Sequence, residues 1–124
     1  MMRKFEELPI FKQSHNLVIK LYKFTETFPD SEKYGLTSQI RRSAVSVPAN
    51  IVEGLHRNTT KELIAFMYNA RGSAGELLYH LLLSKDLNYL EKEVYLELDE
   101  ITQEILKQLN GRIRSEKRKL NIIS

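Results

Sequence analysis

The most constraining feature of this chain is a seam of apolar and small residues, Leu63, Met67, Ala70, Ala74, Leu77 and Leu81, spaced 4-3-4-3-4. That spacing keeps one face of a helix turned toward neighbouring helices, as in an antiparallel bundle or coiled coil. It predicts a long helix from about Thr60 to Leu87, opened by Thr59-Thr60-Lys61-Glu62 as a capping box. Three further helices are expected around it. The first runs from about Lys12 to Thr27, carrying Leu17, Leu21, Phe24 and Phe28. The second runs from about Glu32 to Glu53, with Gly54 as its C-terminal stop. The last runs from about Leu90 to Lys119, with Val94, Leu98, Ile101, Ile105 and Leu109 on one side. No segment alternates like a strand, so the expected fold is all-α. It is an antiparallel up-and-down four-helix bundle in one domain spanning 1–124.

The second helix contains Pro48, which removes a donor and crowds the carbonyl four residues back. A kink near Ala44 to Pro48 is expected, with Ser43 and Ser46 serving the freed carbonyls. At about 100° per residue, Leu36, Ile40, Ala44, Val47, Ile51 and Leu55 form the core face. Gln39, Arg42, Ser46, Asn50 and Glu53 form a polar stripe. Val45, Ala49 and Val52, beside Pro48, form a second apolar face. The third helix repeats this, with Ile64, Tyr68, Gly75, Leu78 and Leu82 outside its seam, and Gly72 and Gly75 suggest close approach of another backbone. Exposed apolar stripes of this kind usually meet a partner. Self-association is expected through Val45, Pro48, Ala49, Val52, Tyr68 and Gly75.

Charge narrows the ligand. The net charge is +3, yet Arg112, Arg114, Lys117, Arg118 and Lys119 fall within eight residues against one acid, Glu116. Residues 86–104 hold seven acids and one lysine. Such a tail complements a helix dipole or meets a polyanion. Arg41, Arg42, Arg57, Lys61 and Arg71 form a second candidate basic surface. No sequence-reading motif accompanies them, so contacts to RNA or DNA would be to phosphate or shape.

Signals of catalysis are weak. Glu53-x-x-His56 resembles half of a di-iron motif without its second copy, and Glu76 with His80 has a different spacing. His15, His56 and His80 lack a triad arrangement. GSAG at residues 72–75 lies mid-helix without the Lys-Ser/Thr of a phosphate loop. No enzyme activity, metal or cofactor is expected. The absence of cysteine excludes disulfides and thiolate metal sites and suits the cytoplasm. No apolar run is long enough for a signal peptide or a membrane span.

The stretches YGLTSQIRRSAVSVPANIVEG (34–54) and FMYNARGSAGELLYHL (66–81), with Arg57 between them, resemble the bacterial four-helix bundle proteins encoded by intervening sequences in 23S rRNA genes. The accessory proteins of diversity-generating retroelements look like more basic relatives. The resemblance implies a ring-shaped homopentamer, no established catalytic residues, and nucleic-acid binding as the suggested activity. A protein partner, such as an enzyme encoded nearby, is the alternative.

Overall fold

A computed structural model describes residues 4–123, with side chains placed through residue 121. A 3₁₀ turn, Lys4–Glu7, leads into α1, Pro9–Thr25; a second 3₁₀ turn, Asp30–Glu32, leads into α2, Leu36–Leu55. Then follow α3, Thr60–Asp86, and α4, Lys92–Ile123. Each helix packs antiparallel on the next, and α4 closes back on α1. Cross-links fix the register: Lys20 pairs with Glu97 and Gln108 donates to Gln13 between α1 and α4. Arg71 donates to Asn110 between α3 and α4. The fold is the expected four-helix bundle, and no strand occurs among the described residues.

The seam of α3 is the centre of the core. Met67, Ala70, Ala74, Leu77 and Leu81 are buried with Ile40, Ala44, Val47 and Ile51 of α2 and Leu98, Ile105, Leu109 and Ile113 of α4. Buried hydroxyls return to their own helices: Ser14, Thr25, Ser84 and Thr102 donate to carbonyls three or four residues back. Among the described residues no buried side-chain polar atom lacks a partner.

Several local features depart from expectation. Helix α1 starts at Pro9 rather than near Lys12, because proline at the first helical position loses no bond and has its φ preset. Helix α2 begins at Leu36, where the Glu32 carboxylate accepts from the Leu36 N–H at 3.1 Å. No break interrupts α2 at Pro48. Ser43 donates to the Gln39 and Ile40 carbonyls, and Ser46 accepts from Asn50, so neither serves a carbonyl freed by Pro48. Gly54 is not a stop but a helical residue. A Cβ there would lie 2.9 Å from the Phe66 Cβ and 3.1 Å from Leu63 Cδ1, so Gly54 is where α2 and α3 come closest to needing no side chain. Gly72 and Gly75 meet nothing within 4 Å, so the close approach expected there does not occur within the chain.

Thr59 caps α3 as expected, its hydroxyl accepting from the Glu62 N–H at 3.1 Å. The hydroxyl then donates to the Glu62 carboxylate at 2.9 Å, closing half of the anticipated box by another route. At the far end of α3, Asn88 adopts φ 65°, a left-handed conformation that asparagine tolerates. The Tyr89 N–H bonds the Ser84 carbonyl and the Asn88 N–H the Lys85 carbonyl. This is a Schellman closure with asparagine in the place glycine usually holds.

Candidate nucleic-acid interface

Antiparallel packing gathers the N-termini of α1 and α3 and the C-termini of α2 and α4 at one end of the bundle. Arg57, Lys61 and the α4 tail therefore share that end, whereas the acids of residues 86–104 lie along the other half. The two halves of the charge pattern are spatially separate as well as separate in sequence.

The ten candidate cations divide by what holds them. Arg41 is not at the basic end. Its guanidinium donates to Thr25 Oγ1 at 3.0 Å and to the Tyr22 carbonyl at 3.2 Å, and stacks over the Tyr22 ring at 4.5 Å. It ties the last turn of α1 to α2. Arg42 bonds Gln39 and pairs with Glu76 of α3. Arg57 bonds Glu53 at 3.2 Å, approaches Glu62 at 3.7 Å and covers Phe66. The Glu53–Arg57 pair forms even though Gly54 lies between them, because the helix runs on through that glycine. Arg71 stacks on Tyr68 and donates to Asn110. The expected basic surface of Arg41, Arg42, Arg57, Lys61 and Arg71 is thus dispersed. Four of its members bind groups within the chain, and only Lys61 makes no bond among the described residues.

The polar stripe of α2 is explained by the same register. Gln39, Arg42, Ser46 and Asn50 face α3, where Ser73 donates to Ser46 at 2.9 Å and Glu76 takes Arg42 and His80. The hydrogen bond from His80 holds the Glu76 carboxyl below its usual range, outweighing burial, with Arg42 adding to the effect. These pairs are half exposed and contribute about 1 kcal/mol or less each. Their main effect is to set register.

In the tail, sequence reading missed one determinant. Glu116 continues the buried stripe of α4 three residues beyond Ile113 and is only 2% exposed. Burial pushes its carboxyl up, but hydrogen bonds from Lys119 and Arg112, each 3.0 Å, outweigh that and leave it lowered. Arg112 and Lys119 thus share one carboxylate and are held by it, and the cluster keeps a single net positive charge. Lys117 lies over the Tyr68 ring at 5.1 Å, and Arg114 and Arg118 make no bond among the described residues. Of the ten candidate cations, those open to a ligand at this end are Lys61, Arg114, Lys117 and Arg118. An acidic residue inside a basic run at core spacing is the signal that could have revealed this.

A pH prediction follows from the lowered Glu116 carboxyl. A folded-state value below the unfolded one, about 4.3 for glutamate, adds stability above that pH. This stability is lost as pH falls through the lower folded value. Arg112 and Lys119 are 30% and 58% exposed and rehydrate when freed. Glu116→Gln should therefore cost about 1–2 kcal/mol at neutral pH. In urea titrations from pH 7 to 3, the gap from the parent chain should hold near neutral pH and shrink as pH falls below the unfolded glutamate value of about 4.3; a gap independent of pH would contradict the assignment.

The apolar candidates divide as well. Val45 (40% exposed) and Ala49 lie open on α2, and Val52 is half-buried. With Phe11 and Val18 of α1 they line a shallow groove. Pro48 is buried, Tyr68 is half covered beneath Arg71 and Lys117, and Gly75 is exposed. Ile64, expected on the second face of α3, is buried. No group of three or more potential metal ligands occurs among the described residues, and no helix there is long and apolar enough to cross a membrane.

Comparison with curated proteins finds no match. Among solved structures the chain resembles a Bacteroides thetaiotaomicron protein of unknown function, described as from the S23 ribosomal protein family. The two share 26% identity over 84% of this chain and 97% of that one, with a TM-score of 0.76. The profile of the family described as 23S rRNA-intervening sequence protein matches residues 6–111. With nearly the whole bundle inside that match, the chain belongs to the 23S rRNA-intervening sequence protein family.

Proposed function

We propose that this protein is a non-enzymatic, self-associating bundle that binds nucleic acid, RNA in the first instance, through phosphate contacts at its basic end. The observation that carries this reading is the separation of charge along the bundle. Lys61, Arg114, Lys117 and Arg118 stand at one end without an acidic partner among the described residues, and the seven acids of residues 86–104 lie toward the other. Arg57, Arg71, Arg112 and Lys119 support that end through internal bonds, and Arg41 and Arg42 serve helix register. About four neutralised phosphates per copy give a log–log salt slope near −3.6 on duplex DNA and near −2.8 on a single strand. Binding titrations at several salt concentrations check this, and Arg114→Glu with Arg118→Glu should remove most of the affinity. A flat salt response, or unchanged binding by the double variant, would overturn the reading.

The groove of Phe11, Val18, Val45, Ala49 and Val52 supports self-association, and the family resemblance points to a pentameric ring. A ring multiplies the basic end and so raises affinity without new contacts. Val45→Asp should reduce particle mass in light scattering while helicity by circular dichroism is kept. Unchanged mass would place the interface elsewhere.

A second reading, a scaffold for a protein partner, draws on exposed Tyr34, Tyr79 and Leu96, 88%, 59% and 52% exposed. A pull-down that retains a stoichiometric protein after nuclease treatment would favour it.

A further inference from the structure

A cleft of about 660 Å³ opens where the end of α1 meets the start of α2, at the opposite end of the bundle from the basic tail. Tyr22, Lys33 and Tyr34 line it together with Thr37, Ser38 and Arg41 of the first turns of α2. No acidic side chain is among the described residues of its wall. A helix opens with N–H groups that its own turns cannot satisfy. In α2 the Leu36 N–H is taken by the Glu32 carboxylate at 3.1 Å, and the Gln39 N–H by the Gly35 carbonyl at 3.0 Å. The two N–H groups between them, on Thr37 and Ser38, have no acceptor among the described residues, and Gly35 supplies no side-chain cap.

The Thr37 side chain is a second, independent sign. Of the buried hydroxyls, those of Ser14, Thr25, Ser43, Ser84 and Thr102 each donate to a carbonyl three or four residues back. Thr37 is 7% exposed and makes no such bond among the described residues. No enclosed side-chain polar atom there lacks a partner, so the Thr37 hydroxyl is not sealed in the core; it reaches open space, and the space Thr37 lines is this cleft. Charge agrees. Arg41 bonds Thr25 and the Tyr22 carbonyl through Nε and Nη2, both acceptors being neutral, so its charge is uncompensated and Nη1 is unused. Lys33 lies over the Tyr34 ring at 5.5 Å with no carboxylate partner among the described residues. Arg42, paired with Glu76, adds no free charge. Glu32 adjoins this turn, but its oxygens are occupied by the Leu36 N–H and the Tyr89 hydroxyl, and it does not line the cleft. The acids of α4 sit on a helix that packs against α1 and α3, diagonally across the bundle from α2.

Free N–H groups at the positive end of a helix dipole, an unused hydroxyl and an uncompensated guanidinium together fit a tetrahedral oxyanion. We propose that the first turn of α2 binds a phosphate group through the Thr37 and Ser38 N–H groups, the Thr37 hydroxyl and Arg41 Nη1. The site stands apart from the basic end and does not rest on the nucleic-acid reading. Val45, which this cleft shares with the groove assigned to self-association, lies about 12 Å further along α2, so covering the groove leaves this turn open.

The test follows the backbone amide resonances of the full chain during titration with inorganic phosphate at constant ionic strength. Thr37 and Ser38 should shift saturably and by more than Arg114 and Arg118. Shifts that are absent at Thr37 and Ser38, or no larger than those at the basic end, would overturn the site. Thr37→Val keeps the shape and loses only the hydroxyl, so it should weaken phosphate binding about ten-fold. Its urea stability should be unchanged or raised, because the hydroxyl makes no bond within the described chain; a purely structural role would lower it. Arg41→Gln is an independent variant and should also weaken binding about ten-fold, with circular dichroism reporting on the fold because Arg41 ties α1 to α2. Unchanged affinity in both variants would overturn the assignment. Phenyl phosphate distinguishes the source of the group. Tighter binding than inorganic phosphate, with an added shift at Tyr34, assigns it to an aromatic monoester; equal or weaker binding assigns it to phosphate itself.

Discussion

Replacing Leu77 by alanine should lower the unfolding free energy by about 3–5 kcal/mol. Leu77 is fully buried at the middle of the α3 seam, between Ala74 and Leu81, where α3 meets both α2 and α4. Neighbouring Ala70 and Ala74 are already small and cannot swell to fill the space. The surrounding leucines and isoleucines sit on helices tied in register by Ser46–Ser73 and Arg71–Asn110, which limits collapse around the cavity. Against a total stability of about 5–15 kcal/mol for a domain of this size, the variant approaches the unfolding threshold. Urea denaturation at one fixed protein concentration measures the loss. A change under about 1 kcal/mol would mean that the seam is not the centre of the core.

Gly54→Leu should be comparably damaging for the opposite reason, too much volume. Even a methyl at this position meets the Phe66 Cβ at 2.9 Å, and an atom so near the backbone cannot swing away as a side-chain tip can. Alanine recovers about 1 kcal/mol of helix propensity and so partly offsets its own clash. Leucine gains no more propensity and adds three carbons, so it should cost about 3 kcal/mol or more by forcing α2 and α3 apart. Gly72→Ala provides the contrast. With nothing within 4 Å of its Cβ, it should raise stability by up to about 1 kcal/mol. Thermal or urea melts of the two variants should therefore move in opposite directions; movement in the same direction would refute the assignment.

The glycines show where sequence reading stops. Helical spacing exposes one helix at a time, which is why the α3 seam, the core face of α2 and the four-helix count were legible. Whether a glycine faces a neighbour or open space depends on the register between helices. Spacing therefore marked Gly72 and Gly75 for close contact and passed over Gly54, which has it. The dispersal of the basic surface has the same origin. Arg41 and Arg42 adjoin in sequence, yet one reaches back to α1 and the other across to α3. Two helix boundaries carried signals in residue type that periodicity passed over, Pro9 at the first position of α1 and Asn88 at the close of α3. The tail was legible as a charge run but not as a partly neutralised one, because Glu116 reveals its burial only when the α4 stripe is extended past Ile113.

The excess of bases at one end and of acids at the other gives the molecule a permanent electric moment along its long axis. In buffer of about 0.01 M salt the Debye length is about 30 Å, so an approaching polyanion feels this field and rotates the protein before any surface meets. Raising the ionic strength abolishes that torque first, and the encounter rate should fall before the final geometry changes.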